Sequence, residues 1–307
     1  MRKFNLKGHV AERMKGIPMD EPNPGNEAEV KNEEKMPVPE FSEEQGQIRC
    51  TWRTDVGKLR KNNQDAVILG NGLAGVADGM GGHNGGEIAS AGLRDGLLRE
   101  IKDCQPDCLT LQEAVKTINL ELWKQQENDS SLSGMGTTLT VIWPAEKEMI
   151  IGQIGDSRAY LLREGVLTQV TDDHSMVADM VRKGVLTEEQ AACHPMRNYI
   201  TRAVGTEENI EIDLKKHNRK QGDRWLICSD GLYGMINRTQ LLEIMMTDDL
   251  EQTADDLLQA AMQGGGKDNI SLILLQDDTD SKETEEQENL SEEKGADTEA
   301  SGEVDHQ

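Results

Sequence analysis

Three apolar runs in this chain stop at an aspartate followed at once by a small residue: Gly75-Val-Ala-Asp78-Gly79, Ile154-Gly-Asp156-Ser157 and Ile227-Cys-Ser-Asp230-Gly231. Two more aspartates lead into apolar runs, in Asn63-Gln-Asp65 and Gly266-Lys-Asp268-Asn269. One Asp-Gly after a strand is an ordinary turn whose side chain caps the backbone. Five acidic strand ends constrain the fold far more. If they meet at one edge of the sheets, their carboxylates repel, and the cluster is costly unless protons or cations neutralise it.

The runs themselves lie between residues 50 and 276. Strands are expected at Ala66–Leu69, Leu73–Ala77, Thr137–Trp143, Met149–Ile154, Arg158–Arg163, Arg224–Cys228 and Asn269–Leu275. A helix is expected from Glu87 to Lys102. A second opens at Thr110-Leu-Gln-Glu113, which reads as a capping box, with Leu111, Val115, Ile118 and Leu122 on one face. Thr187-Glu-Glu-Gln190 starts a short helix inside a polar insertion from about 174 to 197, and Ala254, Leu257, Leu258 and Ala261 form one stripe of a later helix. All four Trp and all three Tyr fall inside this segment and both Phe fall outside it, so the core is aliphatic. Helices do not alternate regularly with strands, which argues for an α+β layered fold over a parallel doubly wound sheet.

The flanks differ in kind. Five of the eight prolines fall in the first 48 residues, without a lasting apolar period, so 1–48 reads as a disordered arm. From Asp277 to Gln307 there are 13 Asp/Glu against two Lys, a net charge of −11 out of −24 for the chain, and this reads as a disordered acidic tail. Such a balance disfavours a nucleic-acid partner. No run of about 18 uncharged apolar residues offers a membrane span, and the N-terminus lacks a signal-peptide pattern. Five scattered cysteines form neither a disulfide framework nor paired zinc knuckles, which suits a reducing, cytoplasmic setting.

The donors in the acidic motifs are all oxygens, which suits Mg²⁺ or Mn²⁺ better than zinc or copper. Two such ions about 3.5–4 Å apart share a carboxylate and a water and support in-line displacement at phosphorus. Arg60, five residues before Asp65 on a loop, is a candidate to fork two phosphate oxygens.

Taken together, the blocks TDVGKLRKNNQDA, VADGMGGHNGGEIAS, GMGTTLT, IGDSRAYLLREGVLTQVTDDHS, RNYITRAVGT, CSDGL and GGKDNIS resemble, in order, the metal-dependent protein phosphatases of the 2C type in their bacterial form. They span residues 50 to 276. The resemblance implies a four-layer α-β-β-α sandwich, with two antiparallel sheets between pairs of helices, a catalytic domain over 49–276, and the 174–197 insertion as a small flap. It implies that Asp78 bridges two metals and that the Gly79 carbonyl joins the second. It implies Asp230 and Asp268 on the first metal, Asp65 on the second, and Asp156 with Asp230 at a weaker third. Arg60 would hold the substrate phosphate. The implied activity is hydrolysis of phosphoserine and phosphothreonine in proteins by in-line attack of a metal-bridging water, with no covalent intermediate, opposing a bacterial Ser/Thr kinase.

Two positions depart from many eukaryotic members. Met80 stands where they carry a histidine proposed as general acid; His83, three residues on, is read as structural. Gln64 replaces a metal-binding Glu, which places more weight on Asp65. No cysteine sits in a phosphate loop, so a thiolate nucleophile is unsupported. Two rival readings are a phosphoprotein-binding module that has lost turnover, disfavoured because every expected Asp is present, and an enzyme acting on small phosphate esters.

Overall fold

The structure is a computed structural model that describes residues 47–81 and 85–279. The readings of the arm, of the tail beyond Thr279 and of His83 lie outside the described residues.

The elements follow in the order β1 (Ile48–Asp55), β2 (Asp65–Gly70), β3 (Leu73–Met80), α1 (Gly85–Glu100), α2 (Cys108–Asn128), β4 (Gly136–Thr137), β5 (Leu139–Pro144), β6 (Glu148–Ile154), β7 (Arg158–Arg163), β8 (Val166–Gln169), α3 (Met176–Arg182), α4 (Glu188–Ala192), β9 (Asp213–Asn218), β10 (Arg224–Cys228), α5 (Asp230–Tyr233), α6 (Arg238–Met245), α7 (Leu250–Gln263) and β11 (Ile270–Asp277). One sheet runs β1-β11-β10-β7-β8 and the other β2-β3-β5-β6-β9, with every neighbouring pair antiparallel.

The period of two sorts the strand residues into three apolar layers. Val67, Leu69, Ala74, Val76, Ile142 and Ile151 of one sheet meet Ala159, Leu161, Trp225, Ile227, Ile273 and Leu275 of the other. Their alternates, among them Ile68, Leu73, Val141 and Ile150, pack under α1 and α2 through Leu93, Leu97 and Ile118. On the opposite flank Leu226, Cys228, Leu272 and Leu274 lie under α6 and α7 through Leu241, Ala254 and Leu257. The result is the four-layer α-β-β-α sandwich. Truncating a fully buried residue such as Ile273 to Ala costs about 2–5 kcal/mol, so the frame is stiff where it carries the site.

One helix start differs from expectation. Asp107, not Thr110, caps α2: its carboxylate accepts from the backbone N–H groups of Leu109 and Thr110. An ionised cap beside free amide donors is favoured over a hydroxyl one turn further on. The Thr187 capping box forms as expected, with Gln190 closing it.

Candidate metal centre

The direction of the strands brings the five acidic motifs to one end of the sandwich. β2 and β11 begin there, while β3, β6 and β10 end there. Continuing the inward-facing alternation of each strand beyond its last apolar residue gives Asp65 and Asp78 from one sheet and Ser229 and Ser271 from the other. The inter-sheet core thus turns from aliphatic to polar at this end.

Asp65 and Asp78 are direct partners in the β2·β3 register. Gly79 N–H donates to the Gln64 carbonyl at 3.1 Å. That makes 64/79 the hydrogen-bonded pair and 65/78 the neighbouring non-bonded one, whose Cβ atoms lie about 4.5–5.5 Å apart on one face. Two carboxylates so placed repel. Gly79 could be no other residue: a Cβ there would lie 2.1 Å from the Gly86 carbonyl oxygen and 2.5 Å from that of Gln64.

Asp65 is half-buried, and Ser229 Oγ donates to its Oδ2 at 2.8 Å. Its Oδ1 is buried with no hydrogen-bond partner among the described residues. Burial pushes its carboxyl up to about 7; hydrogen bonds from Ser229 and Ser271 pull the other way, and the nearby Asp230 and Asp268 add to the rise. Asp230 is the first residue of α5, directly after Ser229. Asp268 sits just before β11 and accepts from Arg60 Nη2 at 2.8 Å. The remaining N–H groups of the Arg60 guanidinium have no partner among the described residues.

Among the described residues no three Asp, Glu, His or Cys side chains already converge as a finished cage. The donor set nevertheless suits a hard cation that keeps part of its water shell, since such an ion needs only one or two carboxylates directly. An orphaned, buried carboxylate oxygen opposite a second carboxylate is a position that such a cation would satisfy.

The model of the family described as Protein phosphatase 2C matches residues 59–270. The chain belongs to the protein phosphatase 2C family. It is 40% identical over 230 residues to the serine/threonine protein phosphatase PstP of Mycobacterium tuberculosis, covering 74% of this chain and 44% of that one. The chain thus spans less than half the length of that relative. It is 35% identical over 251 residues to the serine/threonine phosphatase stp of Listeria monocytogenes, covering 76% of this chain and 98% of that one. Among solved structures, the M. tuberculosis PstP/Ppp phosphatase superposes with a TM-score of 0.71 at 38% identity, covering 75% of this chain and 98% of that chain. A second structure, the PstP catalytic domain in complex with two manganese ions, gives 0.69 at 37% identity, covering 75% and 97%.

In this family member several residues that motif reading passed over hold the acidic ones in place. Asn269 ties the Arg60 loop down: its Oδ1 accepts from Gln64 N–H at 2.8 Å, and its Nδ2 donates to the Val56 and Asn62 carbonyls at 2.9 and 3.0 Å. Thr138 Oγ1 accepts from Asp78 N–H at 2.9 Å and meets Ser157 Oγ at 2.8 Å. Tyr233 donates to the Asp156 carbonyl at 2.9 Å and carries the Arg158 guanidinium over its ring at 3.8 Å, while Asp173 grips Arg158 from the other side. His174 Nδ1 accepts from Gly155 N–H at 3.0 Å, and its Nε2 faces Asp213 at 3.1 Å. The sequence signal for Asn269 was its place beside Asp268 at a strand start. For Tyr233 and His174 no local pattern announces a partner some 77 or 19 residues away.

The site residues therefore fall into two groups. Asp65, Asp78, Gly79, Asp230, Asp268 and Arg60 share one cluster through register, hydrogen bonds or mutual charge. Asp156, buried after β6, joins them through Tyr233 of α5, the helix that Asp230 opens.

Proposed function

We propose that this chain is a Mn²⁺- or Mg²⁺-dependent phosphatase of phosphoserine and phosphothreonine in proteins. The observation that carries the reading is the facing pair Asp65 and Asp78, with a buried carboxylate oxygen that nothing in the described protein satisfies. Asp65, Asp78, Asp230, Asp268 and the Gly79 carbonyl would hold two ions, with Asp156 and Asp230 at a weaker third. When bound, the ions supply positive charge for phosphoryl oxygens and lower the pKa of water.

The protein's own contribution is position and charge. Arg60 spends one N–H on Asp268 and keeps the others for phosphate oxygens, which a planar guanidinium engages in pairs. Asn269 holds the loop that presents it, so the guanidinium arrives with little ordering left to do. The Oδ1 atom of Asp65 is kept from solvent, where its charge acts through a medium less screening than water. No side chain is assigned as general acid to the leaving hydroxyl; Met80 has no proton to give.

The phosphoprotein substrates, an opposing Ser/Thr kinase and a cytoplasmic location follow from the likeness to the bacterial relatives and belong to the same proposal. Among the described residues no helix is long and apolar enough to cross a membrane.

Hydrolysis of a phosphothreonine peptide tests the reading, with EDTA and then with added Mn²⁺ or Mg²⁺. Turnover is expected only with metal, together with a rise in the unfolding temperature on adding Mn²⁺. Folded protein that neither turns over nor is stabilised by either ion would overturn it.

A further inference from the structure

The loop that presents Arg60 also presents charge for which the metal centre has no use. In Gly57-Lys-Leu-Arg60-Lys61, Lys58, Leu59 and Lys61 are exposed, and so is Lys267 next to Asp268. Lys58 N–H donates to the Gly266 carbonyl at 2.7 Å, so the two chain segments lie together, and Lys267 directly precedes the Asp268 that holds Arg60. None of the three ammonium groups has an ion-pair partner among the described residues. Elsewhere Lys116, Lys215 and Lys216 pair with Glu113, Asp172 and Glu148, while Lys102, Lys124 and Lys183 are unpaired among the described residues but stand singly on helices or turns away from the Arg60 loop. The two carboxylates near the rim are engaged, Asp268 by Arg60 and Asp55 by the Gly57 N–H at 2.7 Å. The loop is also fixed, since one side chain, Asn269, bonds the carbonyls of both Val56 and Asn62. Leu59, 66% exposed, stands among the lysines as an apolar contact.

We infer that Lys58, Lys61 and Lys267 form a docking rim that selects phosphopeptides with acidic residues flanking the phosphorylated one. The inference rests on the phosphatase reading of the same site. Free cations around the phosphate clamp attract an acidic flank and repel a basic one, and charge at a rim acts mainly on encounter and on KM.

The experiment compares two phosphothreonine peptides of one length, flanked by Glu in one and Gln in the other, on the full-length protein with Mn²⁺. The acidic peptide is expected to have a kcat/KM about tenfold higher at low salt, mostly through KM, with the ratio falling toward one as the Debye length shrinks below about 8 Å. In the triple variant Lys58→Ala, Lys61→Ala, Lys267→Ala the ratio drops to near one, and in Lys61→Glu it drops below its wild-type value. Because each protein is its own control, a loss of folded fraction does not move the ratio. Fluorescence anisotropy of the same peptides is measured alongside. Equal kcat/KM for both peptides, unchanged in the triple variant, would overturn the rim and leave the phosphatase reading standing. Tighter binding of the acidic peptide, lost in the triple variant but without hydrolysis of either, would keep the rim and remove the phosphatase reading. If the triple variant instead gained activity on the neutral peptide, the lysines would be serving the chain's own acidic tail, and the substrate assignment would fall.

Discussion

Two inward-facing carboxylates, one at each end of the inter-sheet layer, show how the sandwich treats charge. At the end where β11 finishes, Asp277 is met by Arg219 in a two-pronged pair, Nε to Oδ2 at 2.7 Å and Nη2 to Oδ1 at 3.0 Å, and both side chains are almost fully enclosed. Arg163 treats Asp223 in the same way close by. At the end where β11 starts, Asp65 is half-buried with its Oδ1 enclosed, and it has serine hydroxyls in place of a guanidinium and a second aspartate opposite; burial above all, and then the charges of Asp230 and Asp268, push its carboxyl up to about 7. The same fold that neutralises an acid at one end with its own arginine leaves an acid at the other to be neutralised from outside. A matched buried acid holds strands together, and an unmatched one is a site.

The comparison is broken or sharpened most sharply by neutralising an acid at each end. Asp78→Asn is expected to lower kcat/KM by roughly a thousandfold or more, the scale of a lost transition-state charge partner. In EDTA the same change should raise the unfolding temperature, because it relieves the repulsion with Asp65. Asp230→Asn should likewise cut turnover by orders of magnitude and leave the fold. A variant of either kind with near-normal turnover would remove that residue from the centre. At the far end Arg219→Ala should do the reverse. It strands Asp277 and also removes a donor to the Ala145 carbonyl, so a loss of about 3–5 kcal/mol is expected in urea unfolding, with kcat/KM of the folded protein unchanged. If Arg219→Ala were silent in unfolding, the pairing at that end would not be what holds it.

Next in size is Tyr233→Phe. Its hydroxyl is the donor to the Asp156 carbonyl, and burial raises that phenol well above its usual range, so it stays a neutral donor. Removing it leaves a buried carbonyl short of a partner and is expected to cost about 1 kcal/mol, read from urea unfolding. A cost near zero would mean that the Asp156 turn is held without it, by His174 on the Gly155 N–H and by Gln153, whose Nε2 donates to the Gly155 and Ser157 carbonyls.

How much of this was legible in the sequence depended on burial. Central strands such as β10 and β11 are apolar nearly throughout and are plain to read. The three strands that pattern reading missed, β1, β8 and β9, are all at sheet edges. There Arg49, Arg53, Lys215 and Lys216 interrupt the alternation, as edge strands require if they are not to pair with other chains. The acidic motifs were legible because each ends or begins a strand. Their mutual placement was not: that Asp65 faces Asp78 follows from a register, and registers are set by turns and packing across the whole sheet. Asn269, Tyr233 and His174 stayed hidden because their work is done through contacts far away in the chain.

The smallest effect concerns His174, which joins the polar insertion to the turn before Asp156. Its Nδ1 accepts from Gly155 N–H, which requires that nitrogen to be unprotonated, and Nε2 donates to Asp213. Burial lowers the imidazole pKa below 6.5; Asp213 works against this shift, while Arg202 and Arg182 add to it. As the pH falls below 6.5 the unfolded chain therefore takes up this proton before the folded one does. His174 contributes its full stability above that pH and loses it progressively below. His174→Gln removes this titration, so the wild type's advantage in unfolding free energy should shrink as the pH falls from about 7 to about 5. Urea unfolding of both proteins at each pH measures it. An advantage that stayed constant would mean that folding does not lower this pKa, and one that grew toward acid would mean that the folded chain holds His174 as the imidazolium. The Gly155 contact would then have to be a different bond from the one described.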